Sequence, residues 1–168
     1  MYLIGVDLGG TNIAAAVTDQ MGNIRVKASQ KTNLPASADI IANQICDVIQ
    51  DVMQRDKSSW DEIASIGIGT PGVVNTQKGV IEYAGSLQFL NVPFAALLEA
   101  RLGKKVFLFN DANAAVWGEY CLGAGKKAES MIAVTLGTGI GGGIILNQVL
   151  YTGVNGAAGE LGHMVIVP

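Results

Sequence analysis

Val6-Asp7-Leu8-Gly9-Gly10-Thr11-Asn12-Ile13 runs from an apolar strand pattern into a turn of small polar residues and out into a second apolar segment. A similar pattern returns at residues 134–141, with the sequence VTLGTGIG. Each copy predicts a hairpin of strand, glycine turn and strand, with small or absent side chains at its tip. Two such hairpins suggest two related half-structures facing one ligand, and chance similarity between glycine-rich hairpins is the alternative.

The first turn has the features of a phosphate cradle. Gly9, Gly10, Thr11 and Asn12 offer consecutive backbone N–H groups with little side-chain obstruction. Asp7 ends the preceding strand, where a carboxylate can hold hydrated Mg²⁺ beside phosphates. A tight hairpin in which Asp7 caps the turn explains the same residues, so both interpretations stay open at this point.

The second glycine motif, residues 137–142, matches G-x-G-x-x-G, the pattern found in dinucleotide-binding folds. That fingerprint requires a helix after the glycines, whereas Ile144-Ile145-Leu146 continues as a strand pattern. The sequence also lacks a Walker A motif, since Gly125-Lys126 is followed by Lys127. A nicotinamide-binding fold is therefore not expected.

Outward from the hairpins, strand and helix patterns alternate through the middle of the chain. Apolar residues repeat at helical spacing from Ile41 to Val52, with Ser37 as a candidate N-cap, and further helices are expected from Pro93 to Gly103 and from Asp111 to Leu122. Strands separated by helices predict an α/β fold with a mixed sheet. The strands are expected at 2–6, 13–18, 24–28, 63–68, 80–83, 105–109, 131–136, 143–146, 149–152 and 164–167.

Composition narrows the class of protein. The chain of 168 residues is 49% hydrophobic with a net charge of −3, which excludes disorder and lacks the basic footprint of a nucleic-acid binder. Two distant cysteines, Cys46 and Cys121, fit a reduced cytoplasmic protein, and no signal or membrane-spanning segment is expected. Residues 131–168 contain no Lys, Arg or Asp and hold nine of the 22 glycines, so this quarter is either buried or built around a site.

Four polar residues are candidates for a site in and before that quarter. Asn110 and Asp111 lie where a strand ends and a helix begins, so Asp111 is either an ionised carboxylate that can accept a substrate proton or an ordinary N-cap. Glu160 and His163 are three residues apart among glycines and could clamp sugar hydroxyls. A satisfied core or surface histidine is the alternative for His163.

Together these motifs resemble those of the ROK family, which contains bacterial sugar kinases, repressors and open reading frames. The resemblance covers the whole chain and implies an α/β fold of the actin-like, hexokinase-type ATPase class (ribonuclease H-like). The five motifs, in family order, are residues 7–12 (DLGGTN), 67–72 (GIGTPG), 110–113 (NDAN), 136–143 (LGTGIGGG) and 159–163 (GELGH).

The resemblance implies ATP-dependent phosphorylation of a hexose at its 6-hydroxyl, with Asp111 as the general base. Asn110, Asp111, Glu160 and His163 would hold the sugar, and Gly72 would let it approach the backbone. Nucleotide phosphates would contact Asp7, which holds Mg²⁺ through water, together with Gly9, Gly10, Thr11, Asn12, Thr138 and Gly139.

Kinases of this family are about twice as long as this chain, a two-domain size. The resemblance therefore implies a complete small domain at 1–110 and a truncated large domain at 111–168, and we expect the 168 residues alone to be inactive. In the family His163 would also bind zinc, but the C-x-C-G-x-x-G-C segment that completes the site is missing, so zinc is not expected here.

The favoured function is a cytoplasmic hexose kinase, most simply for glucose, with no nucleic-acid or membrane partner. An N-acetylhexosamine kinase and a sugar-binding ROK regulator are the alternatives, and an acetate-kinase-like or actin-like ATPase is disfavoured by Glu160 and His163. A homodimer, or self-association through an exposed truncated sheet edge, is also expected.

Overall fold

A computed structural model describes residues 1–137 and 139–165, and its contacts divide the chain into two compact units, Met1–Asn110 and Asp111–Pro168. The first unit contains eight strands and two helices. They are β1 (Tyr2–Leu8), β2 (Asn12–Thr18), β3 (Ile24–Lys31), α1 (Ala38–Asp56), β4 (Ile63–Thr70), β5 (Val73–Asn75), β6 (Val80–Ala84), β7 (Phe89–Val92), α2 (Phe94–Leu102) and β8 (Val106–Asn110).

The first unit is built on a mixed five-stranded sheet in the order β3-β2-β1-β4-β8. β1, β2 and β3 form an antiparallel meander, and β4 and β8 join it parallel to β1. Parallel neighbours require crossover connections, which α1 provides between β3 and β4 and α2 provides between β7 and β8. A smaller antiparallel sheet, β5-β6-β7, lies between these helices in sequence.

The two faces of the large sheet differ in side-chain size. Alternate residues of β1 such as Ile4 and Leu8 are buried in the core with the apolar face of α1. On the other face Gly5 pairs with Gly67, and an added Cβ at either position would meet no described atom within 4 Å. Asp7 is on this second face, in register with Gly69 of β4.

The second unit begins with α3 (Asp111–Leu122) and continues as a three-stranded antiparallel sheet. Its strands are β9 (Met131–Leu136), β10 (Ile140–Leu146) and β11 (Val149–Tyr151), in the order β11-β10-β9. A 3-10 turn at Leu161–His163 follows. Both predicted hairpins are thus confirmed, and each opens an antiparallel three-strand meander.

The predicted elements are largely confirmed, including the cap of α1, where the Ser37 side chain accepts a hydrogen bond from the Ile40 amide. Pro93 is the residue before α2 rather than its first residue. The short strands β5 and β7 were not predicted. The strand expected at 164–167 is wrong for Met164 and Val165, which lie outside any strand, and its last two residues fall outside the described ones.

Cys46 and Cys121 are both free thiols, and burial raises the pKa of the Cys46 thiol. Among the described residues, no helix combines the length and the apolar character needed to span a bilayer.

Candidate active site

The loop between β1 and β2 presents backbone amides to solvent. The Gly9 N–H closes the turn by donating to the Asn12 carbonyl at 2.9 Å, so it is already engaged. The amides of Gly10 and Thr11 donate to none of the described residues, and both residues are exposed. Of the predicted phosphate contacts, the Gly10 and Thr11 amides are therefore the ones placed to donate hydrogen bonds to an anion.

Asp7 lies two residues before this loop with its side chain exposed. Its cross-strand neighbours are Ala14 of β2 and Gly69 of β4, both of which have small side chains. An exposed carboxylate at a strand end suits hydrated Mg²⁺, which usually keeps several waters and takes one or two protein carboxylates. The residues present therefore fit a magnesium ion held through water.

Two residues beside this loop were not expected from the sequence. Thr32, just after β3, donates its backbone N–H to the Thr11 carbonyl and its hydroxyl to the Gly9 carbonyl, both at 2.8 Å. Ser86, in the 3-10 turn Gly85–Leu87, has its Cβ 3.8 Å from the position a Cβ on Gly10 would take. Neither residue belongs to a recognisable motif, so only the folded chain reveals them.

Gly72 and Asn110 meet at the carboxyl end of the large sheet. The Asn110 side-chain amide donates to the Gly72 carbonyl at 3.1 Å. Gly72 has φ +94°, and a Cβ there would lie 2.0 Å from the Tyr83 carbonyl oxygen. Packing against β6 is therefore sufficient to require glycine at this position, whether or not a sugar approaches its backbone.

Asp111 is the first residue of α3 and is half-buried. One carboxylate oxygen, Oδ1, accepts the Ala112 backbone N–H at 2.8 Å. The other, Oδ2, accepts no hydrogen bond from the described residues. Asp111 is thus the first helical residue rather than the N-cap, and its bond to the Ala112 amide leaves the second carboxylate oxygen able to accept a proton.

Glu160 and His163 lie together at the 3-10 turn. The Glu160 Oε2 and His163 Nε2 atoms are 3.8 Å apart, and their side chains are 42% and 84% exposed. The His163 amide donates to the Glu160 carbonyl at 3.1 Å, which fixes the turn. Both side chains can therefore reach a polar ligand from solvent.

Glycines allow α3 and the segment around the 3-10 turn to pack closely against strand β10. A Cβ on Gly141 would lie 2.8 Å from Ala112 of α3, and a Cβ on Gly142 would lie 2.8 Å from the Gly159 carbonyl oxygen. A Cβ on Gly162 would lie 2.1 Å from the Ile140 carbonyl oxygen. Close packing on both faces of β10, rather than ligand contact, explains these glycines, and it positions Asp111 and the Glu160–His163 pair.

In the second hairpin loop the Gly137 amide donates to the Gly139 carbonyl at 2.9 Å, a turn closure like that of Gly9. Thr138, the other predicted phosphate contact here, lies outside the described residues. No group of three or more His, Cys, Asp and Glu that could hold a metal occurs in the described ranges.

Comparison with known proteins gives one family model, described as ROK family, which matches residues 3–168. The chain is 41% identical over 165 residues to a glucokinase of Streptomyces coelicolor, covering 98% of the chain and 50% of that protein. It is 32% identical over 166 residues to a xylose repressor of Bacillus spizizenii, covering 98% of the chain and 42% of that protein. The chain thus spans about half the length of the curated glucokinases it matches.

Among solved structures, the chain matches a ROK family glucokinase from Streptomyces griseus in complex with glucose and AMPPNP. The TM-score is 0.90 at 38% identity, over 100% of the chain and 52% of that protein. The α/β fold predicted from the sequence is therefore confirmed as the fold of this glucokinase.

Proposed function

This chain belongs to the ROK family, and from that premise we propose that the protein containing it transfers the γ-phosphoryl group of ATP to the 6-hydroxyl of a hexose. The observation that carries the proposal is Asp111 at the start of α3, with one carboxylate oxygen bound to the Ala112 amide and the other able to accept a proton. The glucokinase relatives support the same class of reaction.

In this proposal the loop between β1 and β2 binds the phosphates of the nucleotide. The Gly10 and Thr11 amides donate to phosphate oxygens, and Asp7 would hold Mg²⁺ through its waters. When bound, Mg²⁺ offsets negative charge on the phosphates during transfer. An acidic chain can bind an anionic nucleotide this way, because amides and the ion supply the local positive field. Thr138 and Gly139 remain proposed contacts from the second loop.

In the sugar-binding part of the site, Asp111 Oδ2 accepts the proton of the sugar 6-hydroxyl. As it does so, the sugar 6-oxygen forms a bond to the γ-phosphorus. The bond between that phosphorus and the β,γ-bridging oxygen breaks, and ADP leaves with the bridging oxygen. Asn110, Glu160 and His163 orient the sugar by hydrogen bonds to its other hydroxyls. Zinc bound to His163 in a longer protein remains a prediction that the described residues do not test.

We further propose that the unit Met1–Asn110 is the small domain of the kinase and that Asp111–Pro168 belongs to its large domain. The inactivity of residues 1–168 by themselves stays a prediction.

The test is an ADP-release assay over a panel of glucose, mannose, N-acetylglucosamine and N-acetylmannosamine, on the protein at its natural length. We expect sugar-dependent ADP release, fastest with glucose. The same panel run on residues 1–168 tests their expected inactivity. Absence of sugar-dependent turnover with every sugar would overturn the proposal.

The second candidate is a sugar-binding regulator, favoured by the similarity to a xylose repressor over nearly the whole chain. A regulator would bind a sugar in calorimetry without releasing ADP. Binding without turnover in the panel would therefore select this alternative.

A further inference from the structure

A series of hydrogen bonds connects the loop between β1 and β2 to helix α1 through the residues that follow β3. Thr32 grips the loop at two carbonyls, those of Gly9 and Thr11, each at 2.8 Å. Asn33, the next residue, donates its backbone N–H to the Gln44 side-chain oxygen at 3.1 Å. The Gln30 side chain donates to the Gln44 carbonyl at 2.8 Å. Residues on both sides of Thr32 are thus tied to one residue of α1.

The geometry of these bonds sets where the loop amides point. A peptide unit carries its carbonyl and its following N–H on opposite sides, because the bond is planar and trans. Thr32 accordingly holds the Gly9 carbonyl inward, which turns the Gly10 amide outward. Its backbone N–H binds the Thr11 carbonyl, so the peptide units on both sides of the Gly10–Thr11 peptide are held, and with them the orientation of the Thr11 amide between them.

The Gln44 side chain is buried with a donor that is unpaired among the described residues, which indicates that stability alone does not explain a glutamine at this position. It is 7% exposed, and its Nε2 has no hydrogen-bond partner among the residues that the structure describes. A buried donor without a partner costs stability, and an apolar side chain of similar shape would avoid that cost. Its Oε1 nevertheless supports Asn33 beside Thr32.

We propose that Thr32, supported by Gln44, is a positioning residue that holds the Gly10 and Thr11 amides in the orientation that receives nucleotide phosphates. This inference rests on the proposed kinase function. Neither residue touches the nucleotide: Thr32 acts through the loop, and Gln44 acts through Thr32. Pre-orienting the amides spares the nucleotide the cost of ordering the loop when it binds.

The test uses Thr32→Val, which keeps the shape and the backbone bond but removes the hydroxyl, in the protein at its natural length. Loss of one such hydrogen bond predicts a KM for ATP raised about five- to tenfold, with the KM for the sugar unchanged within about twofold. Thr32→Ser restores the hydroxyl and should restore the KM for ATP. Thr18→Val, at the far end of β2, is the matched control and should leave both KM values unchanged.

Gln44→Met separates positioning from stability. It removes the acceptor for Asn33 together with the buried unpartnered donor, so the variant should unfold at the same or a higher urea concentration while its KM for ATP rises about two- to fivefold. This variant also keeps the proposal testable if Thr32→Val fails to fold.

The outcomes separate the two claims. A wild-type protein with no ATP-dependent sugar phosphorylation contradicts the kinase proposal itself. An active wild type in which Thr32→Val and Gln44→Met keep the wild-type KM for ATP overturns the positioning role. Equal rises in the KM for ATP and for the sugar would also overturn it, because they indicate general damage.

Discussion

At the scale of single residues, the glycines of the second unit differ in how much space surrounds the position of an added Cβ. Gly141, Gly142 and Gly162 leave no room for a Cβ, because backbone or α3 lies within 3 Å of where that atom would be. Gly118 on α3 has no described neighbour within 4 Å of the same position. Substitution by alanine should therefore have opposite effects at the two kinds of site.

Gly162→Ala should displace the turn that carries Glu160 and His163, since its Cβ would lie 2.1 Å from the Ile140 carbonyl oxygen. We expect sugar affinity to fall about tenfold or more when two orienting hydrogen bonds are lost. Gly118→Ala is the control and should add about 0.5–1 kcal/mol to helix stability without changing sugar affinity. Calorimetric titration of both variants checks this, and equal sugar affinities would contradict it.

Sequence motifs were sufficient to identify Glu160 and His163 as candidates, because titratable groups are rare in residues 131–168, and Asp111, because it lies where a strand pattern meets a helix pattern. They could not reveal Thr32, whose role depends on where the end of β3 falls relative to the first loop. Nor could they distinguish glycines needed for packing, such as Gly142, from glycines open to a ligand, such as Gly10. That distinction depends on what lies next to each residue.

At the scale of elements, one ion pair joins the end of α1 to the start of β3. The Asp56 carboxylate is 4% exposed, accepts Arg25 Nε at 2.8 Å and also accepts the Ser58 hydroxyl. Arg25 in turn donates to the Tyr2 hydroxyl at 2.7 Å, so the same hydrogen-bond network also connects β1 to α1 and β3. Burial tends to raise the pKa of Asp56, but the hydrogen bonds from Arg25 and Ser58 outweigh it, and the net pKa is lowered.

The lowered pKa of Asp56 makes folding stability depend on pH. The unfolded carboxyl titrates near about 3.9, so in acid the unfolded state binds the proton more readily and stability falls as pH drops through the folded pKa. Asp56→Asn should therefore lower the free energy of unfolding at pH 7 and make its decline below about pH 5 shallower. Urea unfolding from pH 7 to pH 3 measures both.

Asp47→Asn is the matched control for this series, because Asp47 is exposed on the same helix and forms no described ion pair. Its unfolding curve should follow the wild type at every pH. Identical pH dependence in Asp56→Asn and wild type would contradict the role given to this pair.

Long elements were predictable because their apolar spacing is regular, as in α1, where buried residues recur from Ile41 to Val52. The strands β5 and β7 have only three and four residues, too few for a period to show, and neither pairs with a preceding strand across a two-residue turn, as the equally short β11 does with β10. Their place depends on pairing with β6, which is a tertiary contact.

At the scale of the whole molecule, apolar burial is concentrated in the first unit. Every residue of the main hydrophobic core cluster lies between Tyr2 and Leu108. In the described part of the second unit, Val116 and Ile145 are the buried apolar side chains. On β9, by contrast, Ile132 and Leu136 are 66% and 80% exposed on the same face as Val134.

This exposed face of β9 predicts self-association of the 168-residue chain, because β9 is also an edge strand. Replacing Ile132 and Leu136 by threonine keeps strand propensity and removes the apolar surface. Sedimentation should show mass rising with concentration for the wild type and a monomer for the double variant. A wild-type chain that stays monomeric at high concentration would contradict the prediction.

Asp111 as the base in phosphoryl transfer to a sugar can be tested with one variant of the protein at its natural length. Asp111→Asn preserves shape and the Oδ1 acceptor but cannot take the hydroxyl proton. We predict a kcat lowered by about 10² or more, with sugar affinity by calorimetry within about threefold of the wild type. Turnover close to the wild-type rate in Asp111→Asn would show that Asp111 is not the base.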